Sequence, residues 1–337
     1  MPVSQRVISA TVAGRLARAS FGRGLEARAI RELAGGGFAN VSSVDLSDGR
    51  TVVLKVAPPP APMLSYEYGI TGAEARYLTL VEQNLPRAPF PKLLAYGHDP
   101  LILDSEWLFM SYLPGTILTA LSDGCPPERT DPVRAQVGGT IARLHEVTGG
   151  RFGYDDDRPH GDSWREAFLA IVDSLLADAG DWDVDLGVAP QDIRTLLARH
   201  AAALDVVRRP ALLHFDLWDG NVLCVPDGDG ALRLSGIVDG ERYLWGDPLM
   251  DFVSPALYRR IESEPEHPFV RGYAGQRGRP VTFDAAASRR LTLYRLHLYL
   301  LMTVEMPSRG MTPDTHPGRR ERLVGLLKRQ LAALVRA

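Results

Sequence analysis

Leu213-His214-Phe215-Asp216-Leu217-Trp218-Asp219-Gly220-Asn221 sets a carboxylate, Asp216, and a carboxamide, Asn221, on one short loop. The apolar run Leu234 to Val238 follows across a predicted hairpin and delivers a second carboxylate, Asp239, at its end. A loop carboxylate can accept a hydroxyl proton, while an amide oxygen and a second carboxylate are hard ligands suited to Mg²⁺. Phosphoryl transfer asks for little else from a protein: an oriented hydroxyl, cations bridging the phosphate oxygens, and positive charge at the triphosphate.

Upstream of this stretch the pattern is that of an antiparallel meander. Apolar residues at helical spacing (Ile8, Val12, Leu16, Ala19) predict an amphipathic helix over 7–20. Strand-like runs follow at Ala29 to Leu33, Val41 to Val44 and Thr51 to Val56, broken by Gly35-Gly36-Gly37 and by the turn Ser47-Asp48-Gly49-Arg50. A helix is expected over Gly72 to Gln83, then strands at Lys92–Tyr96 and Trp107–Tyr112. From about residue 131 the chain turns helical: Val133 to Val147, a helix opened by the capping box Ser163-Trp164-Arg165-Glu166 and stopped at Gly180, then 285–306 and 319–336. Short strands at 211–214, 222–225 and 232–238 interrupt the helices. The fold class is α+β, with a small β-rich lobe over residues 1–112 and a larger, mostly helical lobe over 113–337, and a cleft between them.

Composition closes off other classes. The 337 residues are 45% hydrophobic and 23% charged, with a net charge of −3, so no basic field draws the chain to nucleic acid or to anionic lipid. Cys125 and Cys224 have no paired spacing, which argues against a disulfide framework or a zinc site and points to a reducing, cytoplasmic setting. No run of about 18 uninterrupted apolar residues predicts a membrane span. Lysine occurs only at positions 55, 92 and 328, which singles out Lys55 between the apolar residues Leu54 and Val56.

His214-x-Asp216 with Asn221, followed by an apolar strand ending in Asp239, resembles the aminoglycoside phosphotransferase family, which has the protein-kinase-like fold. Further matches run in order along the chain. Gly36-Gly37-Phe38-Ala39-Asn40 resembles the family's glycine-rich turn and Leu54-Lys55-Val56 its lysine strand. Glu74 stands where the family pairs a glutamate with that lysine. Met110-Ser111-Tyr112-Leu113-Pro114-Gly115 is similar to the interlobe hinge, and Gly246-Asp247-Pro248-Leu249-Met250-Asp251 to the closing motif. The resemblance implies a two-lobed kinase-like architecture with a small antiparallel N-terminal lobe that binds the nucleotide. It implies Asp216 as catalytic base and Asn221 and Asp239 as Mg²⁺ ligands. Lys55, held by Glu74, would meet the α- and β-phosphates. The backbone of Gly35, Gly36, Gly37 and Asn40 would cradle phosphate, and Met110 and Tyr112 would offer backbone groups to the base. His214, Asp247 and Asp251 are expected to hold the loop. No activation segment ending in Ala-Pro-Glu follows Asp239, and Gly240-Glu241 departs from the bulky residue that relatives more often place before the acid.

The function so implied is transfer of the γ-phosphate of ATP or GTP to a hydroxyl of a small molecule, an antibiotic being the first expectation. A metabolite kinase acting on an amino alcohol or sugar is the alternative, since Leu217-Trp218-Asp219-Gly220-Asn221 also resembles fructosamine kinases. A nucleotide-binding module without catalysis is the third reading, against which stand Lys55, Asp216, Asn221 and Asp239 together. Residues 155–185 hold ten acids against Arg158 and Arg165, which suggests an acidic wall attracting an amine-bearing acceptor. Residues 305–337 are, by contrast, net basic.

Overall fold

The computed structural model describes residues 8–22, 24–33, 38–58, 63–122, 125–228 and 230–336. Helix α1 (Ala10–Phe21) opens on Ser9, whose hydroxyl accepts from the Val12 amide at 3.3 Å. Strands β1 (Ala27–Glu32), β2 (Asn40–Leu46) and β3 (Thr51–Val56) form the expected meander, followed by helix α2 (Ile70–Asn84) and strands β4 (Leu93–Asp99) and β5 (Leu103–Ser111). The five strands make one antiparallel sheet in the order β1-β2-β3-β5-β4. Both faces of β3 are covered. Val52, Leu54 and Val56 pack with Leu16 of α1, Trp107 and Phe109, whereas Val53 belongs to the main core on the side of α2. Lys55 alternates with Leu54 and Val56 and therefore points to the α2 side. A continuous apolar run with one lysine is what a strand buried on both faces needs when one position carries function.

The larger lobe begins with β6 (Thr116–Ile117), α3 (Leu118–Ser122) and α4 (Pro127–Leu144). A two-strand ribbon, β7 (Phe152–Gly153) and β8 (His160–Gly161), precedes α5 (Trp164–Asp181) and α6 (Pro190–His200). Strands β9 (Ala211–Leu213), β10 (Val222–Pro226), β11 (Leu232–Ile237) and β12 (Leu244–Gly246) carry the motif region, and α7 (Pro268–Arg277), α8 (Ala285–Ser308) and α9 (Arg319–Val335) complete the chain. Strands β11 and β9 belong to two small antiparallel sheets, β11-β10-β6 and β8-β7-β12-β9, and their ends meet where the His214 side chain contacts the Val238 carbonyl. Those ends deliver Asp216 and Asp239. Helix α8 is buried nearly all round, so its apolar residues show no single face. No helix among the described residues is long and apolar enough to cross a membrane.

The capping box at Ser163 forms with both of its hydrogen bonds, but α5 runs one residue past Gly180 to Asp181. Helix α4 starts at Pro127, its first helical residue, rather than Val133, and ends at Leu144. Helices α6 and α7 lie outside the segments that apolar spacing marks. In α7 the reason is physical: Gly272 and Gly275 are poor helix formers, and the helix exists because it packs on α4. A Cβ on Gly272 would lie 1.8 Å from the Ala135 carbonyl oxygen, and one on Gly138 would lie 2.0 Å from that of Phe269. The two backbones touch where only glycine fits. Gly272→Ala should therefore destabilise the protein by at least the ~1–3 kcal/mol typical of overpacking, read as a lower urea midpoint. An unchanged midpoint would mean that α4 and α7 can separate freely.

Candidate functional site

Lys55, 4% exposed, meets three carboxylates. Its Nζ lies 2.8 Å from Glu74 Oε2 and 3.0 Å from Asp239 Oδ1, and it also pairs with Glu241 Oε2. Burial works against the ammonium, but Asp239, Glu241 and Glu74 outweigh it and hold the lysine pKa well above its ordinary value. Burial pushes Glu74 up, opposed by Lys55 and reinforced by the two other acids. Asp239 goes the other way: burial would raise it, but Lys55 wins and holds it below the usual carboxylate range.

Asp239 adopts a left-handed backbone, φ 61° and ψ 53°, at the start of a 3₁₀ turn over Gly240–Arg242. Aspartate tolerates this conformation better than most residues. Gly240 is needed for a different reason. A Cβ there would lie 2.1 Å from Tyr77 Cδ1, so the ring of Tyr77, on α2, fills the space that a bulky residue would take. In this chain the ring of Tyr77 leaves room for nothing larger than glycine at 240.

The loop after β9 is suspended from buried acceptors. Asp251, fully buried, accepts from the backbone N–H of His214 at 3.0 Å and of Phe215 at 2.6 Å, and contacts His145 Nε2 at 3.0 Å. These bonds hold Phe215 at φ 71°, a conformation costly for an aromatic residue unless its surroundings enforce it. His214 Nδ1 accepts from the Asp216 N–H at 3.3 Å, which leaves Nε2 to donate to the Val238 carbonyl at 3.1 Å. Asp247 caps the turn Pro248–Phe252 and takes bonds from Tyr294 and Arg290. All three residues hold the loop in place. Asn221 donates from Nδ2 to the Asp216 carbonyl at 2.9 Å, which orients the rest of its amide.

The Asp216 carboxyl is pushed up to about 6, by burial first, with Arg242 opposing and Asp239, Glu305 and Glu241 adding to the rise. Arg242 Nε lies 4.0 Å from Asp216 Oδ2, and its other end pairs with Glu305 of α8 at 2.7 Å. Glu305 bonds Tyr66 and lies 3.8 Å from Arg309, which pairs with Glu67 at 2.8 Å. An alternating chain of charges thus leads from Asp216 to the segment before α2. Glu241 showed in the sequence only as the acid after Gly240, without a role, and Arg242 had no signal there.

A cavity of about 330 Å³ opens between the lobes, walled by Val41, Val53, Met110, Leu223 and Val238, with Asn221 and Asp239 at one end. Tyr112 and Trp218, 42% and 41% exposed, stand at its edge. The indole of Trp218 folds over Gly220, where a Cβ would lie 2.3 Å from the ring. Asn40, buried, accepts from the Ser42 hydroxyl at 3.0 Å at the start of β2. Gly35, Gly36 and Gly37 lie outside the described residues. The oxygens of Glu74, Asp239 and Glu241 all lie within 4.8 Å of one another around the Lys55 ammonium, and Asp239 shares the cavity lining with Asn221. Carboxylate and carboxamide oxygens are hard donors of the kind a divalent cation takes.

The acidic run 155–185 is not an open wall of charge. Asp155 and Asp156 pair with Arg76 of α2, Asp173 with Arg194, and Asp185 with Arg320. Asp178 accepts from the Ser65 amide and hydroxyl. Arginines from outside the run, Arg320 of the basic C-terminal segment among them, pair with four of its ten acids.

The phosphotransferase enzyme family matches the chain over residues 30–291. A probable ketoamine kinase of Escherichia coli is 28% identical over 242 residues, 68% of this chain and 72% of that protein. One of Staphylococcus aureus is 27% identical over 230 residues, 63% of this chain and 67% of that protein. Among solved structures, a candidate fructosamine-3-kinase of Thermobifida fusca aligns with a TM-score of 0.63 at 23% identity, covering 98% of this chain and all of that one. An aminoglycoside phosphotransferase, APH(4)-Ia bound to AMP-PNP and hygromycin B, aligns with 0.62 at 18% identity, covering 96% and 98%. These two likenesses establish the fold.

The raised pKa of Asp216 has a sign that can be checked. An aspartate with an ordinary value of 3.8, pushed up to about 6 on folding, keeps its proton to higher pH than the unfolded chain does. Stability therefore falls as pH rises from about 4 to 6. Asp216→Asn removes that cost and should be the more stable protein at pH 7, by on the order of 1–3 kcal/mol, with no such gain at pH 3. Urea unfolding at both pH values tests this. An Asn variant no more stable than the parent at pH 7 would mean that the carboxylate is not held at a cost.

Proposed function

The chain belongs to the phosphotransferase enzyme family, and we propose that it moves the γ-phosphate of a nucleotide triphosphate onto a hydroxyl of a small sugar-derived amine. The observation that carries the transfer chemistry is the convergence of Lys55 from β3, Asp216 and Asn221 from one loop, and Asp239 from the turn after β11. The α- and β-phosphates would take the Lys55 ammonium, competing with Asp239 and Glu241 for it. Asp239 and Asn221 would hold Mg²⁺, which supplies positive charge to the phosphate oxygens when bound. Asp216 orients the acceptor hydroxyl and takes its proton as the oxygen bonds to the γ-phosphorus. The bond to the bridging oxygen breaks and its electrons leave with the nucleotide diphosphate. A carboxylate pushed up towards 6 is a better proton acceptor than an ordinary aspartate and is still mostly ionised at pH 7. The purine would lie between Val41, Val53 and Leu223, with base contacts from the backbone of Met110 to Tyr112.

Two features support a ketoamine acceptor. Leu217-Trp218-Asp219-Gly220-Asn221 resembles the fructosamine-kinase loop, and the relatives in Escherichia coli and Staphylococcus aureus are named ketoamine kinases. The exposed indole of Trp218, two residues from Asp216, offers a flat apolar face of the kind that sugar C–H groups pack on. An antibiotic acceptor keeps the support of the fold alone.

A coupled assay of diphosphate release, run with ATP and GTP over 1-deoxy-1-amino-fructose derivatives, amino alcohols and aminoglycosides, tests this. Mg²⁺-dependent turnover should be greatest on the ketoamines, and Asp216→Asn should lower it by about 10² to 10⁴. Turnover confined to aminoglycosides would replace the acceptor. Turnover unchanged in the variant would remove Asp216 from the chemistry.

A further inference from the structure

Asp155, the first member of the acidic run, lies in the loop between β7 and β8, yet its carboxylate serves both segments whose acids meet Lys55. It accepts from the Tyr243 hydroxyl and, at 3.1 Å, from Trp245 Nε1. Those residues follow Glu241 by two and four positions on the strand that leads away from Asp239. The same carboxylate lies 3.6 Å from Arg76 Nε, and the neighbouring Asp156 pairs with Arg76 as well. Arg76 stands two residues after Glu74 on α2. One loop acid is therefore hydrogen-bonded to the segment that follows Asp239 and Glu241 and, with its neighbour Asp156, ion-paired to the carrier of Glu74.

Such a fastening answers a physical need. Three carboxylates around one ammonium carry an excess of negative charge, so α2 is repelled from the Asp239–Glu241 turn whenever the lysine is drawn towards phosphate. The packing of Tyr77 on Gly240 and Tyr243 opposes separation through buried apolar surface but does nothing to offset the like charges. Because no activation segment ending in Ala-Pro-Glu follows Asp239, no element of that kind is available to set the place of α2. We propose that Asp155 is a positioning residue for phosphoryl transfer. Together with Arg76 it clamps α2 against the Tyr243–Trp245 strand, so that Glu74 stays within reach of Lys55. This rests on Lys55 being the phosphate-binding lysine. It also changes the meaning of the acidic run, whose first two members hold the enzyme together and do not face the acceptor.

The test compares Arg76→Gln, Asp155→Asn and the double variant with the parent. Two readouts are taken: hydrogen exchange of the α2 amides, and binding of Mg²⁺ with AMP-PNP or its guanosine counterpart. Arg76 is 39% exposed on its side chain, so its variant keeps the test open if Asp155→Asn folds poorly. Each single variant should speed α2 exchange by roughly tenfold. Each should also weaken nucleotide binding about 3- to 10-fold, and the double variant should be little worse than the weaker single one, as expected for one shared interaction. Unchanged exchange and affinity, a fall in melting temperature alone, or losses that simply multiply would overturn the clamp. If the parent binds neither nucleotide, the functional reading fails, and the exchange readout still decides whether Asp155 holds α2.

Discussion

A single buried ammonium organises this protein. Lys55 needs counter-charge because an unpaired cation in the interior is prohibitively costly, and its three partners come from two separate places in the chain: Glu74 from α2, Asp239 and Glu241 from the turn after β11. Satisfying the lysine fixes where α2 lies over the sheet. It also fixes where the turn after β11 lies under it, and so sets the width of the cleft. Removing a partner from such a buried set costs more than the pairs contribute, because the remaining charges are left uncompensated.

Around that point the charges alternate outwards. Asp216 is followed by Arg242, Glu305, Arg309 and Glu67, the last of these on the segment entering α2. Arg309 also lies over the ring of Phe38 in the small lobe, 4.3 Å from its centre. The elements that would hold the nucleotide and the loop that would receive the acceptor are thus joined through a chain of largely buried ion pairs. In such a chain the loss of one partner is felt by the next.

Much of this was legible in the sequence because it is local. The loop Leu213 to Asn221, the strand ending in Asp239, and the lysine strand each carry their signal within a few residues. The meander is written in its turns and in β3. What escaped is what the chain brings together over long separations. Glu241 and Arg242 matter because Lys55 and Glu305 arrive opposite them. The run 155–185 looks like a free acidic wall only until Arg76, Arg194 and Arg320 are placed beside it. Helix α7 is weak by propensity and is made by its contact with α4. Gly240 reads only as a departure from the family pattern until the ring of Tyr77 is seen to leave room for nothing larger.

The chain's shortage of lysine makes the central claim open to a direct measurement. Acyl-phosphate derivatives of ATP and GTP transfer their acyl group to a lysine lying beside the bound phosphates, and peptide mass spectrometry identifies which one. Only Lys55, Lys92 and Lys328 can react. The account predicts that Lys55 alone is acylated, and that excess free nucleotide with Mg²⁺ suppresses the labelling. Labelling of Lys92 or Lys328 with Lys55 untouched, or labelling of Lys55 that free nucleotide leaves unchanged, would contradict it.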